Sequence, residues 1–313
     1  MSSTEKHYPS YLKLHEQGEI KKRIEALKEL MEECRICPRK CGVRRLEGET
    51  GVCNTGVKPI VSSAFPHFGE ESCLVGENGS GTIFFTHCNL LCSFCQNFDI
   101  SHLAEGEEVT TQALAKMMLF LQKKGCHNIN FVTPTHVTYQ IVQAIEKAIP
   151  AGLNIPIVYN CGGYESVETL KLLEGIIDIY MPDFKFWDAE VGKRFTGTPD
   201  YPEIARQALK EMHRQVGDLV LDENGIAVRG ILLRHLVLPE NLSGTREIMR
   251  FIAKEISPMT YVNIMPQYHP CGNVIHERDM GRRIRSEEFK KAIEAALEEG
   301  ITRLDERKLL IFI

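Results

Sequence analysis

Apolar residues along this chain fall into short runs, spaced by longer segments in which they recur with helical period. The runs lie at 81–85, 129–132, 155–159, 176–181, 230–237 and 261–265. Each is four to eight residues long and rich in β-branched or aromatic side chains, which predicts buried strands. The segments 111–124, 137–148, 166–173, 201–215, 244–256 and 286–299 have the spacing of amphipathic helices. Strands alternating with helices of this length predict βαβ units on a parallel sheet. Six such units fall short of the eight that close a barrel, so the expected fold is α/β, a partial (β/α)6 barrel. Residues 1–33 predict one more helix, with Ile20, Leu27, Leu30 and Met31 on its apolar face.

In βα barrels the chemistry sits at the C-terminal ends of the strands, and polar residues collect there in this chain. The first strand runs into Cys88, Cys92 and Cys95. Thr133, Thr135 and His136 follow the second, and Asn160 and Cys161 follow the third. Asp183 and Lys185 follow the fourth, and as i and i+2 of an extended segment they share a face. Arg234 lies in the fifth, and Gln267 and His269 follow the sixth. Each alone suits a loop cap or an ion pair; the shared position makes the set a candidate site.

The chain has eleven cysteines in 313 residues, and they are clustered. That pattern reads as metal ligation in a reducing compartment rather than as disulfides. Zinc sites usually pair two short half-sites to reach four ligands, which C-x3-C-x2-C fits poorly. Three thiolates in one loop instead suit three corners of an iron–sulfur cube, leaving one iron open. Cys34, Cys37, Cys41 and Cys53 form a second group, punctuated by Gly42, Gly48 and Gly51. Four thiols there suit either a closed zinc site or a second iron–sulfur cluster. Arg35, Arg39, Lys40, Arg44 and Arg45 make this segment basic, and Glu32, Glu33, Glu47 and Glu49 counter them, so a solvated loop is expected. Cys73, Cys126, Cys161 and Cys271 read as core thiols, the last two near strand ends. The division expected is an extension over 1–57 and a barrel over 58–313. A net charge of −5 exerts no overall pull toward nucleic acid or membrane. The N-terminal 30 residues lack a signal-like apolar core, and the apolar run at 309–313 is far too short to span a bilayer, so a cytoplasmic protein is expected.

The C-x3-C-x2-C motif, with Phe94 before its last cysteine, resembles the signature of radical S-adenosylmethionine enzymes. The resemblance implies a 4Fe–4S cluster on Cys88, Cys92 and Cys95, with the open iron holding the methionine moiety of S-adenosylmethionine. Reductive cleavage would then give a 5′-deoxyadenosyl radical that abstracts a hydrogen atom. Phe94 and Asn97 would flank the cofactor. Residues 155–272 are similar, more narrowly, to the pyruvate formate-lyase activating enzymes. Asp183-Phe184-Lys185 matches their Asp-x-Lys, Phe195-Thr196-Gly197 their Thr-Gly step, Arg234 to Pro239 their Arg-x-Val-x-x-Pro, and Tyr268-His269-x-x-Gly272 their Tyr-His-x-x-Gly. This implies that Asp183, Lys185, Arg234 and His269 orient the cofactor, with Thr133, Thr135 and Asn160 beside it. It also implies a protein or peptide substrate, a glycyl-radical enzyme among the candidates, and an electron donor such as flavodoxin or ferredoxin. The chain departs from that group after the second strand, where Thr133-Pro134-Thr135-His136 replaces Gly-Gly-Glu. The methionine amino group would then fall to threonine hydroxyls or backbone carbonyls. The competing readings are an RNA- or small-molecule-modifying radical enzyme and a non-enzymatic iron–sulfur or zinc scaffold.

Overall fold

The computed structural model describes residues 8–305. The first seven residues and the apolar run at 309–313 lie outside the described residues. Nine strands are present among those described: β1 (Ile60–His67), β2 (Ser80–Phe85), β3 (Glu107–Glu108), β4 (Ile129–Val132), β5 (Ile157–Cys161), β6 (Ile179–Pro182), β7 (Val220–Leu221), β8 (Ala227–Leu236) and β9 (Tyr261–Met265). The helices are α1 (Ser10–Glu16), α2 (Glu19–Glu32), α3 (Ser72–Val75), α4 (Phe98–Ser101), α5 (Thr111–Lys123), α6 (Thr138–Ala148), α7 (Val167–Leu173), α8 (Ala189–Thr196), α9 (Tyr201–Val216), α10 (Thr245–Phe251) and α11 (Ser286–Glu298).

The six predicted strands are β2, β4, β5, β6, β8 and β9, and they pair parallel in that order. β1 adds an antiparallel strand beside β2, and β3 and β7 are short antiparallel additions. The sheet does not close: its order is β3-β1-β2-β4-β5-β6-β8, with β9 on β8. This is the open, partial barrel expected from six units.

Alternation along each strand divides the apolar residues between two cores. Ile83, Phe85, Phe131, Tyr159, Tyr180, Ile231 and Leu233 belong to the large core under the helices. Val158, Ile179, Met181 and Leu232 form a smaller core with Cys73 and Leu74 of α3. Asn128, just ahead of β4, donates to the Leu74 carbonyl at 2.9 Å, which seats α3 at the N-terminal end of the strands. The opposite end of the lumen is left to polar side chains.

The single helix expected over 1–33 is two helices. Gly18 takes a left-handed φ of 71° between α1 and α2, which glycine adopts without steric cost. Ile20, Leu27, Leu30 and Met31 are buried as expected and belong to the large core. The helix expected over 244–256 ends its α part at Phe251 and finishes in a π turn. Strand six of the chain begins at Ile179 rather than 176 because Gly175 opens a turn, though Ile176 and Ile177 are still buried.

Candidate active site

The chain leaves β2 through a loop that needs two left-handed residues, His87 at φ 64° and Leu91 at φ 54°. The bends turn Cys88, Cys92 and Cys95 toward one cavity of about 200 Å³ at the C-terminal end of the strands. Phe94 anchors the loop from behind, packing edge-on to Phe186, Phe195 and Tyr268 at 5.8, 5.7 and 6.1 Å. The Ser93 N–H donates to the Phe195 carbonyl at 2.8 Å. Burial pushes the Cys88 thiol up to about 11 and the Cys92 thiol further up, so neither ionises alone at neutral pH. Iron supplies the positive charge such thiolates need, and the three sulfurs on one cavity fit a cluster with one open iron.

Across the cavity stands a buried ion trio. Asp183 and Arg234 form a parallel bridge between strand ends, and the Arg234 Nε donates to Asp183 Oδ1 at 2.9 Å. Lys185 Nζ donates to Asp183 Oδ2 at 2.5 Å. Burial pushes the Asp183 carboxyl up, but Arg234 and Lys185 together outweigh it and hold the carboxyl below its usual range. Lys185 and Arg234 bring cationic donors that suit a ligand carboxylate, and Glu70 beside Arg234 joins Asp183 in balancing their charge. The lining is completed by, among others, Asn97, Thr133, Asn160, Cys161, Leu236 and Met265.

Of the residues singled out in the sequence, the structure brings Cys88, Cys92, Phe94, Cys95, Asn97, Thr133, Asn160, Asp183, Lys185 and Arg234 onto this one cavity. Three are placed elsewhere, among them His136, which is fully buried with its Nε2 2.8 Å from the Thr86 carbonyl. Thr135 turns inward, and its hydroxyl donates to Glu165 Oε1 at 2.6 Å. His269 lies off the lining, with Nδ1 3.4 Å from the Gln267 carbonyl. Gln267 itself lines the cavity. Cys271 rests its thiol against the cysteine loop, 3.1 Å from the Phe94 carbonyl and 3.2 Å from that of Cys95.

Several contributors were not marked in the sequence. Glu70 approaches Arg234 Nη1 at 3.9 Å, and Glu71 accepts from Asn263 at 2.6 Å inside the lumen. Glu165 is wholly buried behind the cavity wall, and burial raises its carboxyl to about 8 against the hydrogen bonds of Thr135, Tyr159 and Cys161. No periodicity or motif marks these acids; only the return of the loops into the lumen does.

The extension departs from the solvated loop expected. Arg45 is fully buried and donates to the His136 and Gly56 carbonyls at 2.7 and 3.1 Å. Arg44 is exposed and pairs with Glu47 and Glu49. Cys34, Cys37 and Cys53 are buried and Cys41 half-buried. Among the described residues no three His, Cys, Asp or Glu side chains converge on a single metal position.

Comparison with known proteins accords with this geometry. The family model described as the Radical SAM superfamily matches residues 82–252, and the chain belongs to that superfamily. It is a radical S-adenosylmethionine enzyme, and the superfamily implies a 4Fe–4S cluster, use of S-adenosylmethionine and an external electron donor. An uncharacterized protein of Methanocaldococcus jannaschii is 34% identical over 283 residues, covering 88% of this chain and 77% of that protein. The pyruvate formate-lyase-activating enzyme of Clostridium pasteurianum is 27% identical, covering 74% of this chain and 96% of that enzyme. Among solved structures, HydG, a maturase of the FeFe-hydrogenase, is similar at a TM-score of 0.48 and 15% identity, over 71% of this chain. The chain spans 49% of HydG's length. No described helix is long and apolar enough to cross a membrane.

Proposed function

We propose that this enzyme abstracts a hydrogen atom from a protein or peptide substrate. The observation that carries the reading is the single cavity holding three loop cysteines on one side and the Asp183–Lys185–Arg234 trio on the other. Cys88, Cys92 and Cys95 would hold the cluster, and Lys185 and Arg234, set by Asp183, would orient the methionine carboxylate. Phe94 fixes the loop, while Asn97, Thr133 and Asn160 border the cofactor. When bound there, a cluster would supply the electron for cleavage of S-adenosylmethionine to a 5′-deoxyadenosyl radical. A macromolecular substrate is favoured by the unclosed sheet, whose end strands β3 and β9 do not pair with each other. The similarity to a pyruvate formate-lyase-activating enzyme over nearly all of that enzyme's length points the same way and makes a glycyl residue the first candidate. Cys34, Cys37, Cys41 and Cys53 would take zinc or a second cluster, testable by metal content in serine variants. A flavodoxin or ferredoxin in the cytoplasm would supply electrons.

The test is anaerobic reconstitution with iron and sulfide, reduction, and addition of S-adenosylmethionine, scoring 5′-deoxyadenosine and methionine. Wild type should form both, and Cys92→Ala should form neither. Addition of glycine-containing peptides should then consume the adenosyl radical and leave a peptide-centred signal in the electron paramagnetic resonance spectrum. A loaded, reduced wild type that leaves S-adenosylmethionine intact sinks the assignment of the site; cleavage with every peptide inert sinks only the substrate class.

A further inference from the structure

Arg39 lies in the N-terminal cysteine loop, between Cys37 and Cys41, yet its guanidinium is spent on the loop of Cys88 to Cys95. Its Nε donates to the Asn89 carbonyl at 2.8 Å. Its Nη2 donates to the Leu90 carbonyl at 3.3 Å and to the Thr196 carbonyl at 2.9 Å. The Tyr164 ring lies 5.7 Å beneath it, and the Tyr164 carbonyl accepts the Asn89 side-chain amide at 3.0 Å. The Asn89 carbonyl and the Leu90 N–H belong to one peptide unit. That N–H points the other way and donates to Cys88 Sγ at 3.3 Å. A guanidinium, a peptide and a cysteine sulfur therefore stand in line, each donating to the next.

Hydrogen bonds in series polarise one another, and a charged donor at the head makes the first the strongest. Hydrogen bonds to sulfur and nearby charge are among the factors that set an iron–sulfur potential. A positive charge and a stronger donor both favour the reduced, more negative cluster.

We propose that Arg39 is a positioning residue through which the N-terminal cysteine loop tunes the radical-site cluster, raising its reduction potential by way of the Asn89–Leu90 peptide. The proposal rests on the reading that Cys88, Cys92 and Cys95 hold that cluster. It also gives the extension a task at the site whether or not its own thiols bind metal.

The experiment compares reconstituted full-length wild type, Arg39→Gln and Arg39→Lys by iron content, by the electron paramagnetic resonance signal of the reduced cluster, and by potentiometric titration of that signal. Arg39→Gln should load iron as wild type does but show a more negative midpoint and an altered signal. Arg39→Lys keeps the charge without the fork and should fall between them. An unchanged midpoint and signal in a loaded Arg39→Gln overturns the proposal. If Arg39→Gln does not load, Arg39→Lys decides by the same criteria, and failure of both to load overturns tuning in favour of a purely structural clamp. A wild type that takes up no cluster at Cys88, Cys92 and Cys95 overturns the underlying site instead, so the two failures are distinct.

Discussion

Glu165 shows how much a single residue can add to the site from behind it. Its carboxyl accepts from Thr135 at 2.6 Å and from Tyr159 at 3.2 Å, and its surroundings are wholly buried. The chain lacks an acid after its second parallel strand, and Thr135 of that segment is tied to an acid from the next loop instead. Burial holds this carboxyl protonated up to about pH 8, against an unfolded value near ~4.3. A folded-state value above the unfolded one favours folding fully below about pH 4. The contribution is lost as pH rises and is gone above about pH 8. Glu165→Gln keeps one acceptor oxygen, turns an amide donor to the other hydroxyl and cannot ionise. Urea unfolding at pH 5 and pH 8.5 should show wild type losing stability by roughly 4 kcal/mol more than the variant does. Equal losses in both proteins would mean that Glu165 ionises normally in the fold.

At the scale of elements, the six parallel strands were legible because each is buried on both faces and reads as an apolar run. β1 was not. Its sequence, Ile60-Val61-Ser62-Ser63-Ala64-Phe65-Pro66-His67, neither alternates cleanly nor runs apolar, and Pro66 argues against a central strand. It forms because the barrel is open and β2 has an edge to fill. The cysteine loop and the Asp183–Lys185 face were legible because strand ends and spacing are local properties. The turns of Thr135 and His269 away from the cavity were not, since a short 3-10 turn or a loop after a strand sets direction without leaving a period. The loop after β5 makes the point testable. Gly163 has φ 79°, and a Cβ there would run into the carbonyl oxygen of Asp183, the residue that balances Lys185 and Arg234. Gly163→Ala should cost at least ~2 kcal/mol of stability. It should also weaken S-adenosylmethionine binding, read by calorimetry on the reconstituted protein. Gly152 has φ 100° with nothing within 4 Å of an added Cβ, so Gly152→Ala should cost only about 1 kcal/mol and leave binding alone.

For the whole molecule, composition draws a line near residue 57 that the packing crosses many times. Tyr11, Ile20, Leu27, Met31, Ile36 and Cys37 share one continuous core with the barrel strands and helices. Gln140 of α6 donates to the Val57 carbonyl at 2.7 Å, Thr169 of α7 to the Ile36 carbonyl at 2.7 Å, and buried Arg45 to the His136 carbonyl. Stripping the extension would therefore uncover apolar surface and several buried acceptors at once, each costly to leave without a partner. The extension should unfold with the barrel, not before it. Two probes report on the two parts: the fluorescence of Trp187, the one tryptophan, and the thiol of Cys37, 5% exposed. Labelling of Cys37 in a variant whose other extension cysteines are serine should rise across the same range of urea in which Trp187 fluorescence changes. Coincident transitions are the mark of one cooperative unit. Labelling of Cys37 well below the fluorescence midpoint would make residues 1–57 an independent unit. The clamp of Arg39 on the radical-site loop would then be a contact the enzyme makes and breaks in its folded state.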